Sequence, residues 1–341
     1  MIPFPVGSSS FQNPDQREQG MALIMVLLAM ALVVMMTAGM VQQQSVRVFR
    51  AGHFLAQSQG YNVALGAEAF AKQILFQDLK TDRENNEQVD STDEVWWKHS
   101  AVLPLDDGGV AEVQIDDLSG RINLNNLVTP TGQVDQTTRE RLMRLLMVLG
   151  ITDVHVDSFV DWVDPDEEPI SAYGAEDGQY LMKSPAYRAA NQPFTSVSEL
   201  RLIEGMTEEI YQALRPHVAA LPVSGTGINV NMASGQVIRS LHEQITDAQA
   251  EAVIKRREEE RFLNTGDFTA LPEFAGLGLK PQGLTVNSEF FDVVSRITWN
   301  DRVVNLVSTL HRSREGEFSV VRRDTGQKHR ITKEPYGVTE E

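Results

Sequence analysis

Residues 21–41 (MALIMVLLAMALVVMMTAGMV) are 21 consecutive positions without a charge, and no other feature constrains the chain as much. As a helix rising 1.5 Å per residue, the run is about 31 Å long, the thickness of a bilayer's hydrocarbon core. Only Thr37 in it is strongly polar. A secretory signal has a shorter apolar region and a small-x-small cleavage site after it, whereas this run leads into more helix. A buried helix of that length in a soluble protein would carry polar interruptions. The run is therefore expected to span a membrane. Residues 1–20 ahead of it are polar, contain Pro3, Pro5 and Pro14, and end in Gly20.

After the span the pattern becomes amphipathic. Gln42 to Leu79 contains no proline, and Phe54, Tyr61, Leu65, Phe76 and Leu79 fall within a helical sector about 60° wide. That stripe is expected to pack on a folded domain. Span and stripe together predict one long helix, half in lipid (21–41) and half the spine of a soluble domain (42–80). The 341 residues allow two compact units and a tail. Lys plus Arg number 30 against 47 Asp plus Glu, a net charge of −17, which argues against a general affinity for nucleic-acid phosphate. With no cysteine, a disulfide scaffold, a thiolate metal site and a cysteine nucleophile are excluded.

Thr81 to Glu94 holds six acids and one Arg, with Val89 its one apolar residue, and is expected to be an exposed loop. Val110–Asp116 alternates apolar and polar residues as a half-buried strand does. Further β-rich runs are Thr285–Trp299, Arg302–Arg312 and Phe318–Arg323. Between these two β regions, short amphipathic helices are expected at 136–150, 153–163, 197–204, 207–220, 234–243 and 246–260.

A short polar leader ending in Gly20 directly before an apolar helix resembles the type IV pilins and the pseudopilins of type II secretion. The resemblance implies cleavage by a prepilin peptidase after Gly20 and N-methylation of Met21. Most members carry Glu as the fifth residue of the mature chain, to pair with a neighbour's amine inside the membrane. Here that residue is Met25. One class, the large minor K component, lacks that Glu, which suits a subunit at the filament tip. Stretches resembling K-component motifs follow in order: GRINLNNL at 120–127, DWVDPDEEP at 161–169, GAEDGQY at 174–180, FTSVSELRLIEGM at 194–206 and INVNMAS at 228–234.

The fold class this implies is α+β: a pilin-like long N-terminal helix packed on an antiparallel sheet, with a large inserted all-α domain of SAM-like, helix–hairpin–helix-like units. The expected organisation is a leader at 1–20, the helix at 21–80, and the first part of the sheet domain at 95–124. The inserted helical domain follows at 125–281, then the second part of the sheet domain at 282–323 and a polar tail at 324–341. The implied partners are the I and J minor pseudopilins, the prepilin peptidase and the inner-membrane secretion platform. The implied location is a single-pass anchor in the inner membrane with the bulk in the periplasm.

From Asp153 to Met182 there are nine carboxylates and no Lys or Arg. The part from Asp164 to Asp177 has Pro165, Pro169 and Gly174 and too few apolar residues to fold by burial. Two readings stand on the residues alone: a solvated acidic loop, or a loop ordered by a cation. Ca²⁺ accepts six to eight oxygens in flexible geometry, whereas zinc prefers His or Cys; the spacing is not that of an EF-hand. The resemblance favours calcium, since K components carry it in the helical domain, with Asp164, Asp166, Glu176 and Asp177 as ligands and Asp161 and Glu168 as further candidates.

GRINLNNL and GINVNMAS also form a repeat, each followed by a phrase resembling a helix–hairpin–helix unit, at 199–214 and 245–259. Asn123, Asn125, Asn229 and Asn231 are placed to cap turns through side-chain hydrogen bonds. Such hairpins make a membrane-anchored DNA receptor of a competence-like system the alternative. The glycine hairpin is incomplete, however, and Lys255, Arg256 and Arg257 are followed at once by three Glu, so no nucleic-acid partner is expected. No serine-nucleophile motif, phosphate loop or HExxH occurs, and the chain is not expected to be an enzyme.

Overall fold

A computed structural model of the chain describes residues 15–106, 108–299, 302–326 and 330–336, with side chains from Met21 onward. Most of the expected leader (1–14) and parts of the expected tail (327–329 and 337–341) lie outside the described residues. Helix α1 runs Asp15–Asn85, 71 residues. It begins directly after Pro14 and continues through Gly20, so the last six residues of the expected leader are helical backbone. By its contacts the chain divides into residues 1–59 and 60–341. In the first unit the side chains of 21–41 are exposed throughout, on a helix long and apolar enough to cross a membrane.

The second unit is built on a six-stranded sheet of order β10-β1-β2-β7-β8-β9. Its strands are β1 (His99–Pro104), β2 (Val110–Asp117), β7 (Phe290–Trp299), β8 (Arg302–Arg312), β9 (Phe318–Asp324) and β10 (Glu334–Pro335). A one-turn helix α2 (Val95–Lys98) leads into β1. The first five strands pair antiparallel, through ten residue pairs between β7 and β8 alone. The short β10 pairs parallel with β1, so the stretch expected to be an unassignable tail closes one sheet edge.

The end of α1 packs on this sheet with a face other than the expected stripe. The buried positions are Ala64, Ala67, Glu68, Ala71 and Leu75; Ala67, Ala71 and Leu75 meet Trp96, Val113, Phe291, Val293 and Leu310, and Ala64 meets Ala111, Ile297 and Leu306. Phe76 is 41% exposed and Tyr61, Leu65 and Leu79 lie half-buried at the margin; Phe54, in the first unit, is exposed. The buried face is rotated by about a quarter turn from the aromatic one. Small residues win because they let the helix backbone approach the strands closely. At Gly60 an added Cβ would lie 2.6 Å from Val304 Cγ2. Glu68 sits on this buried face yet stays charged. Although burial pushes its carboxyl up, hydrogen bonds from Arg323, Lys72 and Ser308 hold it at about 2.

The acidic stretch 81–94 departs from the expected exposed loop. Its first five residues continue α1, and Val89, Asp90, Ser91 and Glu94 are buried. The cause lies in β8: the buried Arg312 grips Asp90 with Nη2 at 2.5 and 2.7 Å and has Asp78 at 3.8 Å. A guanidinium in the core draws in carboxylates that look solvent-seeking in isolation.

Between β2 and β7 lies the helical insertion. It contains α3 (Gln136–Val148), α4 (Val156–Val163), α5 (Asp177–Tyr180), α6 (Glu208–Leu214), α7 (Gly235–Ser240), α8 (Asp247–Glu259) and α9 (Thr265–Thr269). The expected helix at 197–204 is a 3₁₀ segment, Val197–Leu202. Two short parallel pairs brace the insertion: β3 (Ile122–Asn123) with β4 (Val218–Ala219), and β5 (Ile228–Asn229) with β6 (Leu284–Thr285). Its core reaches from Val89 and Ile122 to Val286, wider than the expected 125–281.

A candidate metal centre and the helical hairpins

Helix α4 carries the first residue of the acidic site. Every side chain from Val156 to Val163 is buried, because Val156, Phe159, Val160, Trp162 and Val163 plug the domain core. Asp161 is thereby drawn inside with 0% exposure. Its Oδ1 accepts from the Ile170 amide at 3.0 Å, while Oδ2 has no donor. Gly174 closes over that free oxygen: a Cβ there would sit 2.0 Å from Asp161 Oδ2, so only glycine lets the loop return this closely. Asp164 caps the end of α4, its amide donating to Val160 O at 2.9 Å, and its Oδ1 is buried without a partner.

Glu176 is buried too, and neither of its carboxylate oxygens has a donor. Its amide is held by Gln179 Oε1 at 3.0 Å, which orients the side chain inward. Asp164, Asp166 and Glu176 each place an oxygen within 4.8 Å of the others. Burial first, then the mutual repulsion of these acids, pushes Asp164 and Glu176 up to about 7 and raises Asp161 as well. Several buried oxygens lacking donors form a pocket of negative potential that a hard cation would satisfy. The set is all oxygen, which suits Ca²⁺ or Mg²⁺ and not zinc.

Of the six residues expected as ligands, the fold brings together Asp164, Asp166 and Glu176, with Asp161 beside them. Asp177 is turned elsewhere: its carboxylate accepts from Arg188 Nη1 and from the Ala189 amide, both at 3.0 Å. Glu168 is exposed, and the geometry gives it no place in the cluster; its amide donates to Asp166 Oδ1 at 2.9 Å. One contributor carried no signal in the sequence. Asn191, with φ +45°, donates to the Asp166 carbonyl at 2.6 Å and leaves its own Oδ1 unpartnered. Asp157, although in the acidic run, is spent on Arg139 and on Ser171 at 2.6 Å.

The repeated asparagines do cap turns. Asn123 Oδ1 accepts from the Asn125 amide at 3.1 Å, and Asn229 Oδ1 from the Asn231 amide at 2.9 Å. In the hairpin at 199–214, Gly205 adopts φ +77°, and a Cβ there would meet Asp153 O at 2.2 Å. That turn is pressed against the backbone of the connection between α3 and α4. At the expected processing site, Gly20 lies inside α1, and Met21 and Met25 are exposed.

Two family models, both described as type II secretion system protein K, match residues 120–223 and 228–287. The chain is 39% identical over 317 residues to the type II secretion system protein K of Pseudomonas aeruginosa, covering 91% of this chain and 93% of that one. It is 29% identical over 331 residues to the protein K of Pectobacterium carotovorum, covering 91% and 97%. In structure it is similar to a chain in the crystal structure of the GspK–GspI–GspJ complex from enterotoxigenic Escherichia coli. The TM-score is 0.73 at 26% identity, covering 82% of this chain and all of that one.

Proposed function

The chain belongs to the protein K family of type II secretion systems, and from that premise we propose that it is the minor pseudopilin that caps and initiates the pseudopilus in a tip complex with the I and J components. The observation that carries this reading is the similarity over 82% of the chain to a subunit of a K–I–J assembly. The helix of residues 21–41 holds the precursor in the inner membrane as a single-pass anchor, with the second unit in the periplasm. Prepilin peptidase cuts after Gly20 and Met21 becomes the methylated N-terminus, after which the inner-membrane platform hands the subunit to the filament. Met25 has no carboxylate to pair with an amine below it in a stack, which suits the terminal position. The role is structural and not catalytic.

Calcium is proposed as a structural ion held by Asp164, Asp166, Glu176 and Asp161. Four buried oxygen atoms without donors support this, on Asp161, Asp164 and Glu176. Bound there, the ion would neutralise the loop and fix residues 164–177.

The test is co-expression of the full chain with I and J components, with N-terminal sequencing of the membrane-bound product. A stable three-chain complex and a mature chain starting at Met21 are expected. Gly20→Leu should accumulate an uncut precursor. Normal cleavage of that variant, or a chain that stays alone when both partners are present, would sink the proposal.

A further inference from the structure

A cleft of about 410 Å³ lies between the helical insertion and the sheet, and arginines dominate its charge. Arg121, Arg201, Arg215 and Arg322 line it against Asp292 and Asp324. Arg201 is committed: Glu208 holds it at 2.9 Å through two hydrogen bonds and it stacks 3.7 Å over Tyr211. Arg322 donates to the Thr195 carbonyl at 3.1 Å. Among the described residues, Arg121 and Arg215 have no carboxylate within ion-pair distance, in a chain of net charge −17. The two aspartates are already engaged, Asp292 by the Thr309 hydroxyl at 2.6 Å and Asp324 by the Gly326 amide at 2.8 Å. At physiological salt the screening length is about 8 Å, so a ligand in the cleft feels these groups and not the acidic remainder.

A second, independent feature lies along the same cleft. Arg322 and Asp324 belong to β9, the last strand of the sheet, whose outer edge is unpaired among the described residues. Val321, also in the lining, is 39% exposed. The opposite edge is closed by β10, so among the described residues β9, whose Val321, Arg322 and Asp324 line the cleft, is the edge the sheet leaves open. An unpaired edge takes an extended chain by main-chain hydrogen bonds, and guanidinium groups take carboxylates in bidentate geometry.

We propose that this cleft is a docking site for an extended acidic polypeptide segment of another protein, which adds beside β9 and places carboxylates against Arg121 and Arg215. The probe is a dye-labelled octapeptide of alternating Glu and Val, titrated into the full chain in detergent at physiological salt, with a Lys–Val peptide as control. The expected result is binding of the acidic peptide alone, with slowed amide exchange in 318–324. Affinity should fall at least about tenfold in the Arg121→Gln/Arg215→Gln variant. The Arg121→Lys/Arg215→Lys variant keeps the charge without the fork, should fall in between, and replaces the first variant if that one does not fold. Absence of binding, undiminished binding in both variants, or unchanged exchange at β9 would overturn the proposal. So would full displacement by inorganic phosphate, which would reduce the cleft to a small-anion site.

Discussion

The carboxamide of Asn125 and the backbone of Phe194 form a closed pair of hydrogen bonds, the amide of Phe194 donating to Oδ1 at 2.7 Å and Nδ2 returning to the Phe194 carbonyl at 2.9 Å. Asn231 makes the same ring with Phe262, at 2.9 Å in both directions. The two asparagines hold corresponding places in the repeated phrases, and each ties a short parallel strand pair to a distant loop. Asn125 also donates to Leu221 O at 2.7 Å. Asn125→Ala removes three hydrogen bonds and leaves buried backbone groups unsatisfied, so a loss of about 2–4 kcal/mol is expected. Asn126→Ala, nearer the surface, should cost less. Urea denaturation of the two variants orders them, and equal midpoints would contradict the ring's structural role.

Glu176→Gln separates the effect of the proton from that of the proposed calcium in the acidic site. The folded-state values of Asp164 and Glu176, about 7, are raised above the ordinary carboxylate range. A raised carboxyl weakens the fold as pH climbs from about 4 through 7, because the unfolded chain releases its protons first. Without cation, Glu176→Gln should therefore melt above wild type at about pH 8 and level with it near pH 4. Added calcium should raise the wild-type midpoint at the higher pH and leave the variant nearly unmoved. A variant that still gains fully from calcium would remove Glu176 from the ligand set.

Ala71→Leu tests the closeness of helix and sheet. Ala71 is wholly buried against the strands, and inserting three carbons between backbone layers should cost about 1–3 kcal/mol. Phe76→Ser, on the face that composition favours, should cost less, since Phe76 is 41% exposed. Thermal melts of the two variants give the order; the reverse would restore the aromatic stripe as the packing face.

These contrasts mark how far the sequence could be read. The long helix, the helical insertion and the strands at 110–116, 302–312 and 318–323 were legible because each has one dominant local period, and the apolar run at 21–41 because no charge interrupts it. The packing face of α1 was not. Small residues such as Ala64, Ala67 and Ala71 give little weight to a hydrophobic stripe, and their value appears only when a sheet is close. The acidic site was legible as a loop, and its members only in part. Asp164, Asp166 and Glu176 converge because α4 is buried, whereas Asp177 is claimed by Arg188, a partner that spacing could not supply. The stretch 81–94 failed for the same reason, since Arg312 lies more than two hundred positions away and neutralises it from the far end of the chain.

That buried acidic cluster supplies the last prediction. Asp78, Asp90 and Glu94 each bring an oxygen within 4.8 Å of the others, and among the described residues Arg312 is the one guanidinium paired with them. Burial, then Asp78 and Asp90, pushes Glu94 up to about 10, so it is a neutral acid across the physiological range. Its oxygens accept from the Ser91 amide at 3.1 Å and from the Trp96 indole, and its own proton is left for Asp78. Glutamine has the same shape and supplies a fixed donor in place of that proton. At about pH 5, Glu94→Gln should still cost about 1–3 kcal/mol, because the two Glu94 oxygens each accept a hydrogen bond and the glutamine amide has one oxygen, so the Ser91 amide or the Trp96 indole loses its acceptor. That penalty should shrink as pH climbs from about 5 toward 10, because the unfolded wild-type chain releases the Glu94 proton near its ordinary value while the folded chain holds it up to about 10, and glutamine has none to release. Arg312→Met removes the single neutralising charge and should cost about 3–5 kcal/mol. Denaturant titrations at about pH 5 and pH 9 decide the matter: a penalty for Glu94→Gln that does not shrink at the higher pH would mean that the carboxylate is ionised in the fold and that a cation other than Arg312 holds it.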